Sequence, residues 1–296
     1  MKVACIGEAM VELSLDDTGQ TAGVGFAGDT LNTAIYLKRA APALDVSYVT
    51  RLGRDDFSAR LRDFIAAEGI AVDDIELSKN RRVGLYAITT DETGERSFTY
   101  WRDSSAAREM FQTDKGVSFA ALEKFDLLYL SAITLAILPD HVRSEFCKWL
   151  PGFKARGGQV SFDSNYRPAL WTDFATAQAE IGRMWEMTDI ALPSVDDEMA
   201  AFGDNSVDDV TTRLRGAGVV RGALKCGAGG PVSLGEPVVA QYPPAAKVVD
   251  TTAAGDSFNG GYLGALLTGS AQAEALRAGH DLASYVVGTK GAIAPR

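Results

Sequence analysis

The chain has 296 residues, 46% hydrophobic and 23% charged, as in a soluble globular protein long enough to bury a full core. Its 39 acidic and 29 basic residues leave a formal net charge of −10. That excess argues against a nucleic-acid partner, and an anionic ligand then needs a local cluster of Arg, Lys and helix termini.

Three scattered cysteines, Cys5, Cys147 and Cys226, form no CxxC pair and read as reduced thiols, not as a disulfide framework or zinc site. No run approaches transmembrane length, so no membrane partner is expected. The apolar start of "MKVACIGEAM" is interrupted at Gly7 and Glu8, too early for a signal peptide. The expected location is the cytoplasm.

Along the chain, short apolar runs alternate with amphipathic ones. Strands are predicted over Lys2–Gly7, Val46–Gly53, Asp126–Ser131, Gln159–Asp163, Asp189–Pro193 and Gly222–Gly227. Several are apolar at nearly every position, as strands covered on both faces are. Helices are predicted over Thr30–Ala41, Phe57–Glu68, Pro139–Ala155, Asp208–Gly216 and Asp256–Leu267, with Gly157 and Gly158 as a C-cap signal. The alternation implies an α/β sandwich with a largely parallel sheet. The segment Arg82–Asp103 breaks the rhythm, because it alternates apolar and polar residues on both sides of "DETGE", a hairpin pattern. Together with the polar, Gly-containing segment Val11–Phe26 it can form a small separate sheet, either covering a cleft or lying on the surface.

Several segments carry chemistry-bearing residues. In "DTTAAGDSFNGGYLGALL" a turn of small residues precedes a helix whose start bears Asp256. Free amides there suit a phosphate, and Asp256 suits the removal of a proton from an attacking alcohol; a capped helix with packing glycines is the alternative. In "GFAGDTLNTA" the residues Gly28, Asp29 and Asn32 suit a polyhydroxylated ligand, or simply cap a helix. "FDSNYRPALW" sets Asn165 and Arg167 just past a strand end, where Arg167 pairs with a ligand anion or with a structural carboxylate. "LPSVDDEMAAFG" groups Asp196, Asp197 and Glu198, suited to Mg²⁺ held through water or to a helix dipole. "KCGAGG" is either a nucleotide-following strand exit or a hairpin turn. Neither GxGxxG after the first strand nor GxxxxGK[ST] anywhere is present, so the nicotinamide-dehydrogenase and P-loop readings lose their signature.

The order of "GDTLNTA" and "DTTAAGDSF" along one chain resembles the two signatures of the ribokinase-like (pfkB-type) carbohydrate kinases. With "TGERSFTYWRDSSAA", "DLLYLSAITLAIL" and "FDSNYRPALW", the resemblance spans essentially the whole chain. It implies one domain over residues 1–296, a three-layer sandwich with a mainly parallel sheet and a small β-sheet lid from about 11–26 and 82–103. The activity implied is ATP-dependent phosphorylation of the 6-hydroxyl of 2-dehydro-3-deoxygluconate, with ATP, Mg²⁺ and a monovalent cation such as K⁺ as expected cofactors. A same-fold kinase of a neutral sugar, such as fructose or ribose, is the alternative, and a non-catalytic sugar sensor would need a damaged site.

The resemblance also implies roles. Asp256 matches the catalytic base, and Ala253, Ala254 and Gly255 match the anion hole, with Ala253 and Gly255 also against ATP. Gly28, Asp29, Thr30, Leu31 and Asn32 match the sugar-binding turn. Tyr86, Tyr100, Arg102 and Arg167 match contacts to the sugar acid, and Asn165, Arg167, Lys225, Gly227, Gly229 and Gly230 match ATP-binding segments. The family pattern Gly-Ala-Gly-Asp reads Ala253-Ala254-Gly255-Asp256 here, and Asn-x-x-Glu reads Ser194-Val195-Asp196-Asp197, leaving Asp197 and Glu198 as metal candidates. Lid pairing implies a homodimer or higher homo-oligomer.

Overall fold

The computed structural model describes residues 1–16, 18–90 and 96–296. The strands are β1 (Lys2–Ile6), β2 (Met10–Leu15), β3 (Ala22–Ala27), β4 (Asp45–Leu52), β5 (Ile75–Leu77), β6 (Gly84–Thr90) and β7 (Arg96–Trp101). They continue with β8 (Gln112–Thr113), β9 (Gly116–Val117), β10 (Leu127–Ser131), β11 (Gln159–Asp163), β12 (Ile190–Ala191), β13 (Ala223–Lys225) and β14 (Pro231–Ser233). The helices are α1 (Asp29–Ala40), α2 (Asp56–Ala67), α3 (Ala132–Ile137), α4 (Asp140–Ala155) and α5 (Phe174–Met187). After them come α6 (Val195–Phe202), α7 (Val207–Gly216), α8 (Ala254–Leu267) and α9 (Gln272–Val286).

Six parallel strands build the central sheet in the order β12-β11-β10-β1-β4-β5. Alternate side chains of each strand point to opposite faces. Ala4, Ile6, Leu128, Leu130, Val160 and Phe162 therefore enter a core with α4, α5 and α7, while Val3, Cys5, Val46, Tyr48, Leu127 and Tyr129 enter another with α1, α2, α8 and α9. That is why these strands read as continuous apolar runs. Each fully buried Leu or Phe contributes roughly 1.5–3 kcal/mol relative to exposure.

Helix α8 lies so close to α1 that a Cβ at Gly260 would sit 2.5 Å from the Cβ of Tyr36. A second sheet, in the order β3-β2-β6-β7, is antiparallel except for the parallel β2–β6 pair. The "DETGE" turn expected between β6 and β7 lies outside the described residues. No helix among the described residues is long and apolar enough to cross a membrane.

One expected strand is placed differently. β13 pairs antiparallel with β14 and, among the described residues, meets the central sheet through single bridges, Ala191–Gly222 and Ser194–Lys225. The turn Gly227–Gly229 and the positive φ of Gly230 (79°) reverse the chain too soon for β13 to extend along β12.

Candidate active site

Helix α8 begins without a side-chain cap. Its N-cap is Ala253, not a Ser or Asp, and adopts a left-handed backbone (φ 60°, ψ 17°). The amide of Ala254 donates to the carbonyl of Thr251 (3.2 Å), whereas those of Gly255 and Asp256 have no partner among the described residues. Two NH groups and the positive end of a 14-residue helix therefore face open space. Asp256 is the third residue of the helix rather than its first.

The carboxylate of Asp256 accepts a hydrogen bond from Asn32 Nδ2 (2.9 Å), and the Asp256 carbonyl accepts one from Thr33 Oγ1 (3.3 Å). Burial in the cleft pushes its pKa up to about 8, and the charges of Asp29 and Asp163 add to the rise. The Asn32 hydrogen bond and the ammonium of Lys225 oppose it.

Beneath the helix start runs a buried polar network. Lys225 Nζ donates to Asp163 Oδ2 (2.7 Å) and to Asn259 Oδ1 (3.0 Å). Asn259 Nδ2 donates in turn to Asp163 (2.6 Å) and to the Tyr129 hydroxyl (3.0 Å). The ends of β11, β13 and α8 are thereby tied together, and a Cβ on Gly255 would sit only 3.6 Å from Lys225 Nζ.

Two cavities meet at this point. The first, a cleft of about 450 Å³, is lined by Gly28, Asp29 and Asn32 of the α1 start, by Tyr86, Tyr100 and Arg102 of the outer sheet, and by Asn165, Arg167 and Asp197. The second, about 400 Å³ and largely apolar, is lined by Gly227, Ala228 and Gly230 together with Pro244, Val248, His280 and Ala283. Ser194, Lys225, Thr251, Ala254 and Gly255 border both, so the free amides and Asp256 stand at the junction. A larger hollow of about 990 Å³ among α1, α2, α8 and α9 has Arg39 and Arg296 already paired with Glu68 and does not include Asp256.

On the cleft side, Asp29 accepts hydrogen bonds from Ser131 Oγ and from Asn165 Nδ2 (3.0 Å), and burial raises its pKa. Asn165 thus faces the cleft rather than the second cavity. So does Arg167, 53% exposed on its side chain, whose Nη1 donates to Asp197 Oδ1 (3.1 Å). Burial also raises the pKa of Asp197. Arg102 pairs with Glu8. Gly28 is needed because a Cβ there would meet the Glu8 carbonyl at 2.3 Å, a close approach within the chain itself.

Four expected residues do not line either cavity. Thr30 meets the Tyr48 hydroxyl (3.1 Å) and Leu31 is in the core. Glu198 is completely buried against Arg213 (2.8 Å), its pKa raised to about 7 by that burial. Gly229 belongs to the hairpin turn but not to the lining. Conversely, Glu8, Asp163 and Asn259 belong to the site without having been singled out. Asp163 did carry a signal, since it is the last residue of a strand that ends at the cleft.

The sequence pattern of the pfkB family of carbohydrate kinases matches residues 1–296. The chain is 43% identical over 303 residues to the 2-dehydro-3-deoxygluconokinase of Escherichia coli (strain K12), covering 100% of this chain and 97% of that protein. Among solved structures, it is similar to the 2-dehydro-3-deoxygluconokinase of Thermotoga maritima, with a TM-score of 0.84 at 20% identity over 99% and 94% of the two chains. It is also similar to the fructokinase of Xylella fastidiosa with bound ATP, with a TM-score of 0.83 at 21% identity over 98% and 93%.

Proposed function

The chain belongs to the pfkB family of carbohydrate kinases, and we propose that it transfers the γ-phosphoryl group of ATP to the 6-hydroxyl of 2-dehydro-3-deoxygluconate. The products are 2-dehydro-3-deoxy-6-phosphogluconate and ADP. The observation that carries this reading is the 43% identity, over the full length, to a 2-dehydro-3-deoxygluconokinase. The site supplies a mechanism for it.

In that mechanism Asp256 takes the proton of the attacking hydroxyl, a role suited to a carboxylate whose pKa stands near neutrality. Gly255 and Asp256 turn their free amides toward the migrating phosphoryl group and hold its charge without reorganising. Lys225, fixed by Asp163 and Asn259, keeps the floor of both cavities in place. Asp29, Asn32 and Asn165 supply polar groups to the sugar, while Arg102 and Arg167 supply the positive charge that its carboxylate needs. The outer sheet, carrying Tyr86 and Tyr100, acts as a lid that excludes water.

Nucleotide phosphates enter from the second cavity. Among the described residues no three His, Cys, Asp or Glu side chains are grouped to bind a metal directly. Asp196 lines one cavity and Asp197 the other, and these two carboxylates would hold a Mg²⁺ ion through water. Once bound, such an ion neutralises phosphate charge.

The exposed edge strands of the lid, with Trp101 58% and Val24 44% exposed, support a homodimer through that sheet. A cytoplasmic location accords with a reaction fed by ATP. ADP release measured across 2-keto-3-deoxy sugar acids, fructose and ribose, with and without K⁺, tests the reading. The sugar acid should be the preferred acceptor, and Arg102→Ala should damage its use far more than that of any neutral sugar. Preference for a neutral sugar by the unaltered enzyme would overturn the assignment.

A further inference from the structure

Glu8 sits in the turn between β1 and β2, 2% exposed, and Arg102 follows β7, 7% exposed. Their ion pair joins Arg102 Nη2 to Glu8 Oε2. Apart from it, the buried Glu8 oxygens and Arg102 Nε have no hydrogen-bond partner among the described residues. Arg102 Nη1 donates no hydrogen bond among the described residues, and the Tyr100 ring lies 5.8 Å from the guanidinium carbon.

A buried charge pair with so few satisfying bonds is a poor stabiliser, since apolar residues of similar volume would hold the fold as well or better. The space for the carboxylate is made by Gly84, where a Cβ would stand 2.8 Å from Glu8 Oε1. Both charged groups line the cleft, and together they connect the end of a central strand to the outer sheet.

We infer that Glu8, seated in the notch left by Gly84, is a positioning residue that fixes the Arg102 guanidinium so that its free Nη1 meets the carboxylate of the sugar acid. The inference rests on the proposed function, and it assigns Glu8 to recognition of the acid rather than to chemistry. Without Glu8, Arg102 keeps its charge but loses its direction, and the binding of a planar anion depends on direction.

Two variants test it. Glu8→Gln removes the charge that anchors Arg102, and Gly84→Ala displaces the carboxylate while leaving both charges intact. Each should raise the KM for the sugar acid at least about tenfold, with kcat and the KM for ATP within about twofold of the parent. In an Arg102→Gln background neither should cost anything further, because residues acting through one another are non-additive.

Equal losses in both backgrounds, or a lowered melting temperature with an unchanged sugar KM, would overturn the inference. Gly84→Ala decides the matter if Glu8→Gln does not fold. An unaltered enzyme inactive on every 2-keto-3-deoxy acid would instead sink the proposed function, a result distinct from an active enzyme whose variants are additive.

Discussion

Replacing Asp256 by Asn exposes the conflict between function and stability at the α8 start. Asn keeps the shape and can still accept the hydrogen bond from Asn32 Nδ2, but it can take no proton. Turnover should fall by about 10²–10⁴-fold while sugar binding, read by calorimetry, is retained. The same change should stabilise the fold. In the folded chain the carboxyl pKa is raised from its ordinary 3.8 to about 8, first by burial and then by Asp29. A folded pKa above the unfolded one means that the folded chain holds the proton more tightly. Its favourable contribution is therefore complete below about pH 4 and is lost as pH rises to about 8. At about 1.36 kcal/mol for each tenfold change in proton affinity, the limit is about 6 kcal/mol, and residual solvent contact of the half-buried side chain brings this to roughly 2–3 kcal/mol. Thermal melts of both proteins between pH 5 and pH 9 provide the assay. The variant's advantage should grow across that interval to roughly 4–8 °C and level off above pH 8. A difference independent of pH would refute the claim that this carboxylate is held in an unfavourable charged state.

The remaining expectations concern neighbours of the same residue. In the proposed mechanism the ionised form of Asp256 is the active one, so kcat/KM should rise with pH toward a midpoint near 8. Asp29→Asn removes a like charge and should move that limb to lower pH, whereas Asn32→Ala removes a hydrogen bond to the carboxylate and should move it higher; profiles that shift the other way would exclude the assignment. Ala253 holds a left-handed backbone at φ 60°, so Ala253→Gly should raise stability by about 1 kcal/mol, measured by denaturant titration with kcat followed alongside. Gly28→Ala must push a Cβ into the Glu8 carbonyl. It should destabilise the fold by about 1–3 kcal/mol, and a melting temperature equal to the parent's would show that the two turns are not rigidly packed.

Local pattern was enough to place most of the framework. The β1, β4, β10 and β11 runs are apolar on both faces because both faces are covered, and the predicted helices end within two residues of α1, α2, α4, α7 and α8. Contiguous motifs were less informative about which side chains reach the cleft. On a helix beginning at Asp29, positions 29 and 32 share a face while 30 and 31 turn away. Asp29 and Asn32 accordingly line the cleft, and Thr30 and Leu31 pack inward. The same 100° step separates Asp197, on the cleft, from Glu198, against Arg213. Glu8 and Asn259 were not legible because their partners, Arg102 for the first and Lys225 and Tyr129 for the second, are far away in sequence and meet only when the sheets assemble.

The distribution of charge supports the proposed role of the helix start in receiving the transferring group. Asp29, Asp163, Asp197 and Asp256 all border the cleft, in a chain with a net charge of −10. The cations beside them each have a carboxylate partner: Lys225 has Asp163, Arg167 has Asp197 through Nη1, and Arg102 has Glu8 through Nη2. An unpaired ammonium near Asp256 would lower its pKa and weaken it as a base, whereas that of Lys225, paired with Asp163, opposes the rise without cancelling it. The amides of Gly255 and Asp256 attract anionic oxygens through oriented dipoles without placing a full charge beside the carboxylate. In the proposed mechanism, pairing of the nearby ammonium therefore serves catalysis: it keeps the base strong while the backbone receives the phosphoryl charge.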